Sequence, residues 1–284
     1  MTSNLFHVIL NSTNVVPGDN STYIYTFPRG AVNFKKASVG INQINMYNSV
    51  RNVTNEFNNR AFKLLFPTGA IFTEYDVILP EGSYNIEQIN AYMQKVMVDN
   101  HLYHINATTG AFRYYIELKA SPTTYGISLV CYTLPTSLPS GFNEPTGSTF
   151  PYPSMAGQEP SLILLNNNFN LLIGFSRPAG GTAAYFDHTS DFTPDMSAGI
   201  SSILVRCNLI NNVFSNPNDV IYSLVSHGVE YGGLISSVAP NIIFSRIPDG
   251  YYESVVIKFV DNQFRRLDIL DTNLVIYLII KIDE

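Results

Sequence analysis

The chain of 284 residues carries 16 Lys and Arg against 22 Asp and Glu, a formal charge of −6, and is 45% hydrophobic. That length and apolar content suffice for one large β-domain burying roughly three quarters of its unfolded surface, or for two small domains. The acidic balance, with no basic arm, argues against sequence-specific or counterion-releasing contact with nucleic acid.

Taken from the N-terminus, β-type segments recur at short intervals: 6–10, 23–27, 37–46, 61–66, 73–79, 112–118 and 125–132. Segment 37–46 alternates Val39, Ile41, Ile44 and Met46 with polar residues, the pattern of a strand with one wet face. One helix is predicted at 85–98, with Ile86, Ile89, Met93 and Val96 on a single face. Asn85 and Gln88 are spaced to cap one another and Glu87 suits the positive N-terminal end. The composition then turns to Pro, Gly, Ser and Thr over 134–160, with prolines at 135, 139, 145, 151, 153 and 160. Proline gives a ladder no donor, so a long loop insertion is expected there. Strands resume at 162–165, 171–175, 202–209, 220–224, 242–244, 255–260 and 274–282, interrupted by a second loop-rich region at 176–198.

The last strand is apolar on both faces and reads as central, and its natural partner is 6–10 at the other end of the chain. Pairing of the two ends in one sheet implies an all-β fold: a single jelly-roll β-sandwich over 1–284, with one short helix and the loop insertion at 134–160. Only 13% of residues are charged, against a usual ~25%, so much of the surface is expected to lie against neighbours.

No set of residues reads as a reaction centre. The chain has no Gly-x-Ser-x-Gly elbow, phosphate loop or dinucleotide fingerprint, and no catalytic or cofactor-binding residue is assigned. His7, His101, His104, His188 and His227 are scattered, and the pair His101 and His104 lacks a third soft ligand nearby. Asp187, Asp191 and Asp195 are spaced by four, which does not match an EF-hand calcium loop, and no metal ligand is assigned. Cys131 and Cys207 lie inside apparent strands and are expected to be buried free thiols of a reducing compartment. The first residues show no signal-peptide pattern and the apolar runs reach only about eight residues, so neither export nor a membrane span is expected. On that expectation the sequons at Asn11, Asn20, Asn52 and Asn106 are chance. Six basic residues (Arg29, Lys35, Lys36, Arg51, Arg60 and Lys63) face a single acid, Glu56, within 29–63, which leaves −11 for the rest of the chain. Such asymmetry suits one subunit facing the next in a ring as well as a dispersed, solvated set.

Several stretches together resemble the penton, or minor capsid, proteins of virophages and polinton-like viruses. They are Phe6-His-Val-Ile-Leu-Asn-Ser12, Tyr23-Ile-Tyr-Thr-Phe-Pro28, Ser38-Val-Gly-Ile-Asn-Gln-Ile-Asn-Met-Tyr-Asn-Ser49 and Leu79-Pro-Glu-Gly-Ser-Tyr-Asn-Ile-Glu-Gln-Ile-Asn90. Asn170-Leu-Leu-Ile-Gly-Phe175, Ile247-Pro-Asp-Gly250, Phe259-Val-Asp-Asn-Gln-Phe264 and Leu267-Asp-Ile-Leu-Asp271 belong to the same set. The resemblance implies a jelly-roll capsid protein that forms a homopentamer at the vertices of an icosahedral double-stranded DNA virus, beside a double-jelly-roll major capsid protein. It also implies location in the virion after synthesis in the host cytoplasm, and no enzyme activity. The alternative is a carbohydrate- or receptor-binding jelly roll, a lectin or spike that grips its target through Tyr-rich loops.

Overall fold

A computed structural model describes residues 3–121, 124–197, 200, 202–225, 229 and 231–283. The chain divides into two compact units: Met1–Arg51 with Gly199–Glu284, and Asn52–Ala198. Unit 1 opens with β1 (Ser3–Leu10), β2 (Val15–Val16), β3 (Asp19–Thr26), β4 (Val32–Phe34) and β5 (Ala37–Tyr47). Unit 2 begins with β6 (Ala61–Thr68), β7 (Ile71–Ile78), α1 (Ile86–Asp99), β8 (His104–Asn106), β9 (Phe112–Arg113) and β10 (Ile116–Ala120). It continues with β11 (Ile127–Cys131), β12 (Phe142–Asn143), β13 (Ser161–Leu164), α2 (Phe169–Ile173), β14 (Ala183–Tyr185) and β15 (His188–Thr189). The chain returns to unit 1 with β16 (Ile203–Cys207), β17 (Val220–Leu224), β18 (Leu234–Val238) and β19 (Ser245–Ile247), then β20 (Gly250–Tyr252), β21 (Ser254–Asp261) and β22 (Val275–Asp283). Strands make up 44% of the chain, against two short helices, which is the all-β character expected.

In unit 1 the strands β1, β3, β5, β16, β17, β18, β21 and β22 pair in nested fashion: first with last, second with seventh, third with sixth, fourth with fifth, all antiparallel. They lie in two sheets, β1-β22-β5-β18 and β17-β16-β21-β3, with β19 added to β5 and β2 to β3. This is the order of one long hairpin rolled up on itself, a jelly roll. The two chain ends meet as expected, from Ser3 opposite Asp283 to Leu10 opposite Ile276. Strand period decides which residues go inward: Val8 and Leu10, Ile276, Leu278 and Ile280, and Ile203, Val205 and Cys207 are buried.

Two local predictions at 242–244 and 274–282 turn out to be linked. Residues 242–244 are not a strand; the ladder resumes at β19, whose Ser245 pairs with Val39. The segment passes over β5 instead, so close to Gly40 that a Cβ there would sit 2.5 Å from Ile242 Cγ2 and 2.9 Å from Ile243 O. Ile279, the partner of Gly40 in β22, is buried on that outer face. The last strand therefore reads apolar on both faces because one residue of its outer face is covered.

The polar residues of the turn after β21 are explained by simple bookkeeping of donors. Asp261 is fully buried; its carboxylate accepts from the backbone N–H of Gln263 and Arg265 at 2.8 Å each, and from Arg265 Nε at 2.6 Å. A buried carboxylate is tolerable only when it is so satisfied.

Unit 2 contains three small sheets, β14-β13-β6-β7, β10-β11-β15 and β12-β8-β9. Its core gathers Phe62, Leu64, Phe66, Ile89, Met93, Ile116, Leu129, Leu162, Phe169 and Phe175, with Phe62 and Phe169 stacked at 4.4 Å. The capping box of α1 forms as expected: Gln88 N–H donates to Asn85 Oδ1 and Asn85 N–H to Gln88 Oε1, both at 2.9 Å. The helix buries Ile86, Ile89, Met93 and Met97, and Asn90 Oδ1 accepts from Leu118 N–H at 2.9 Å, which ties it to β10. Segment 171–175, expected as a strand, is instead the end of α2, in which Phe169, Leu172 and Ile173 fall on one buried face. Gly174 ends that helix in the left-handed region at φ 73°, where a Cβ would collide with Phe192 O. The proline-rich stretch 134–160 folds back onto unit 2: Leu134 and Phe150 are buried, and β12 pairs with β8.

Replacing Leu278 by Ala should lower unfolding free energy by about 2–5 kcal/mol, whereas Ile9→Ala on the exposed face of the neighbouring strand should change it by no more than ~0.5 kcal/mol. Urea unfolding followed by tyrosine fluorescence measures both, and equal effects would contradict the inward assignment of β22.

Candidate functional site

The outer face of the sheet β1-β22-β5-β18 is the first surface with a functional character. Pairing places Leu5, His7 and Ile9 of β1, Tyr277 of β22, Gln43, Asn45 and Tyr47 of β5, and Leu234, Ser236 and Val238 of β18 on it. Among the described residues the charged side chains turned outward from this sheet are Lys281 and Asp283, which pair with each other at 3.0 Å, and Arg246 of β19, which lies opposite Ser38. The face is thus uncharged over most of its width, with Gln43, Asn45 and Ser236 linked by hydrogen bonds of 3.0 and 2.8 Å. Its two margins are apolar: Leu5 and Ile9 are 55% and 48% exposed on β1, where Phe6, 51% exposed, turns to the opposite face of the same edge, and Leu234 and Val238 are 55% and 57% exposed on β18. Both margins are sheet edges among the described residues, with β1 and β18 each pairing with a strand on one side only. Separately, the β16–β17 connection, at the other sheet, exposes Val213 and Phe214 to 78% and 96%. That loop is tied down beneath them, Asn212 N–H donating to Asn218 O at 2.6 Å and Ser215 N–H to Asn212 O at 3.1 Å.

A second surface lies on unit 2. An open groove of about 360 Å³ is lined by Asn106, Phe112, Arg113, Tyr114, Glu117, Tyr132 and Phe142. Behind it stands a buried polar chain. His104 is fully buried, stacked on Phe150 at 4.1 Å. Its Nδ1 lies 2.7 Å from Tyr115 Oη and its Nε2 3.1 Å from Tyr152 Oη, while the Tyr152 hydroxyl donates to Glu144 Oε1 at 2.7 Å. Since Tyr152 gives its proton to Glu144, its oxygen accepts from Nε2–H, and Nδ1 accepts from Tyr115. Burial is the main cause that lowers the His104 pKa to about 4. Burial, followed by the Glu144 hydrogen bond, raises that of Tyr152 above the usual tyrosine range. The guanidinium of Arg113 lies 5.1 Å from the Tyr115 ring centre and 5.4 Å from that of Phe142.

The other residues singled out in the sequence do not converge. His101 is exposed while His104 is in the core, so they form no pair. His7 is exposed on β1, His188 lies 3.1 Å from Asp191, and His227 lies outside the described residues. The three loop aspartates each serve the local backbone: Asp187 accepts from Cys131 N–H, Asp191 from Ser176 N–H and Asp195 from Ser197 N–H. The Ser176 hydrogen bond is the main cause that lowers the Asp191 pKa. Among the described residues no group of three His, Cys, Asp or Glu side chains could hold a metal ion. The six basic residues are split between the units. Arg51 pairs with Asp268 at 2.8 Å, Lys63 with Glu74 at 2.7 Å and Arg60 with Glu81 at 3.8 Å, whereas Arg29, Lys35 and Lys36 are exposed. No helix among the described residues is long and apolar enough to cross a membrane.

No family model and no curated protein matches the chain. Among solved structures the chain is similar to the selenomethionine-labelled penton protein of mavirus, with 8% identity and a TM-score of 0.46, over 100% of this chain and 99% of that one.

Two measurements probe the interior of these surfaces. An unfolded histidine titrates near 6.5, so between that value and about 4 the unfolded chain binds a proton that folded His104 refuses. The stability held by neutral His104 is complete above pH 6.5 and falls as pH drops towards 4. The expected loss from pH 7.5 to pH 4.5 is about 2–3 kcal/mol at 1.36 kcal/mol per unit, read from urea midpoints; His104→Phe should remove most of it, and an unchanged slope would exclude His104 as its source. Burial pushes the free thiols of Cys131 and Cys207 up to about 12. Iodoacetamide at pH 8 should therefore label neither thiol in the folded protein and both in guanidinium, by mass spectrometry.

Proposed function

We propose that the chain is a non-enzymatic structural capsid protein: a homopentameric vertex of an icosahedral double-stranded DNA virus, set beside a double-jelly-roll major capsid protein and residing in the virion after synthesis in the host cytoplasm. The observation that carries the reading is the outer face of β1-β22-β5-β18, uncharged over most of its width, with its two apolar open edges. A free subunit with such edges would pair with others indiscriminately, and a closed ring covers them. Depletion of charge with retained Tyr and aliphatic side chains is the composition of interface cores. The nested strand order of unit 1 and the sequence resemblance to penton proteins point the same way. A wall-type chain of two tandem sandwiches is disfavoured, because unit 2 is inserted between β5 and β16 and its small sheets lack the nested order.

Light scattering on the purified chain should reveal a species of about 158 kDa, five times the 31.6 kDa of one copy, and negative-stain images should show fivefold rings. Phe6→Glu together with Val238→Lys should convert rings to monomers while moving the thermal midpoint by only a few degrees. Rings that survive both substitutions would place the contacts elsewhere, and a wild-type protein that stays monomeric at millimolar concentration would remove the vertex reading.

A further inference from the structure

We propose that the groove on unit 2 is a saccharide-binding site, in which a pyranose stacks on the exposed rings and its hydroxyls bridge Arg113 and Glu117. Phe112 and Tyr132 are 49% and 39% exposed, and with Tyr114 they offer flat apolar faces to the solvent. Large rings left open in this way are costly unless something covers them.

The polar groups of the groove are the second observation. Among the described residues neither the Arg113 nor the Glu117 side chain makes a hydrogen bond or an ion pair, although both line the same groove. The Asn106 side-chain oxygen is taken by the N–H groups of Thr108 and Thr109, at 3.0 and 2.9 Å, and its NH₂, with no partner among the described residues, is a further donor on a residue that lines the groove. A sugar hydroxyl both donates and accepts, so its recognition needs a carboxylate and a donor in reach of one ring. This groove supplies Glu117 as acceptor and Arg113 and Asn106 as donors, beside faces fit for the C–H side of a pyranose.

The site is also preorganised. The Arg113 guanidinium is steadied over the rings of Tyr115 and Phe142, and Tyr115 is fixed from behind by its hydrogen bond to His104. A volume of about 360 Å³ suits one or two sugar rings. A peptide is a poorer occupant, since peptide grooves rely on a long free strand edge or a deep apolar trench, and the edge strand here, β9, has two residues.

The test is an array of immobilised neutral and acidic oligosaccharides probed with the full-length protein, followed by saturation-transfer NMR with whichever free oligosaccharide is retained. Retention of at least one oligosaccharide is expected, with a drop of tenfold or more for Arg113→Ala and for the isosteric Glu117→Gln at unchanged thermal midpoint. An array with no retained oligosaccharide overturns the proposal, as does retention equal in wild type and Glu117→Gln. Selective capture of peptides from a displayed library, lost in the same variants, would overturn it in favour of a peptide site. Because the variants lie on unit 2 and the ring contacts on unit 1, failure here leaves the pentamer measurement unaffected, and the reverse.

Discussion

The position of β22 between β1 and β5 governs the rest of the structure. It joins the two ends of the chain in one sheet across nearly the whole sequence, and closing a loop of that length costs roughly 5 kcal/mol of chain entropy. The inward side chains Val8, Leu10, Ile276, Leu278 and Ile280 oppose that cost, each contributing roughly 1.5–3 kcal/mol on burial. The nested order spreads the cost further. Once β16 and β17 meet as a hairpin, β21 can add to β16 and β3 to β21, so each later pairing starts from ends already held close.

The same nesting explains where an insertion is tolerated. Unit 2 leaves the jelly roll after β5 and returns before β16, at a connection between the two sheets and outside every ladder. Its strands bury their own aromatics, Phe62 on Phe169 and Phe66 against Phe150 at 6.0 Å, so its core closes without strands from unit 1. Function can then be divided. The broad uncharged sheet face belongs to unit 1, and the groove with free Arg113 and Glu117 heads belongs to unit 2.

Much of this was legible from residues alone, and the failures have physical reasons. The pairing of ends, the alternation of β5 and the Asn85–Gln88 capping box depend on local pattern and period, and each appears where expected. Segment 171–175 was misread because Leu171-Leu172-Ile173 is too short to show a period by itself; the spacing of Phe169, Leu172 and Ile173 was the signal that marked a helical turn. Segment 242–244 was misread because an apolar run signals burial and says nothing of hydrogen bonding: it crosses Gly40 without joining the ladder. Of the two boundaries of unit 2, that at 199 coincides with the end of the loop-rich region 176–198, whereas that at 51 carries no proline- or glycine-rich run; the loop signal at 134–160 fell well inside the unit. The two surfaces were less legible still. Residues on them come from segments far apart in sequence, and only pairing register brings Leu5, Tyr277, Asn45 and Leu234 to one face.

What distinguishes these surfaces is the care with which the interior is satisfied. Asn52 donates to Tyr84 O and Met196 O at 2.8 and 2.6 Å, Asn59 to Asn52 O at 2.8 Å, and Asn170 to Phe175 O at 3.1 Å. His104 and Asp261 are equally supplied with partners. An unmade hydrogen bond in the core costs about 1–3 kcal/mol, and among the described residues the buried side-chain atoms without a partner include Ser49 Oγ and Ser161 Oγ, whereas these amide and ionisable side chains are paired. Against that background, sheet edges beside Leu5, Phe6, Leu234 and Val238, and polar heads at Arg113 and Glu117 with no hydrogen-bond or ion-pair partner among the described residues, are groups the single chain does not complete. Edges are completed by like edges and so by other protein subunits, whereas isolated donors and acceptors beside bare rings are completed by a small polar ligand. The two kinds of incompleteness therefore call for two kinds of partner.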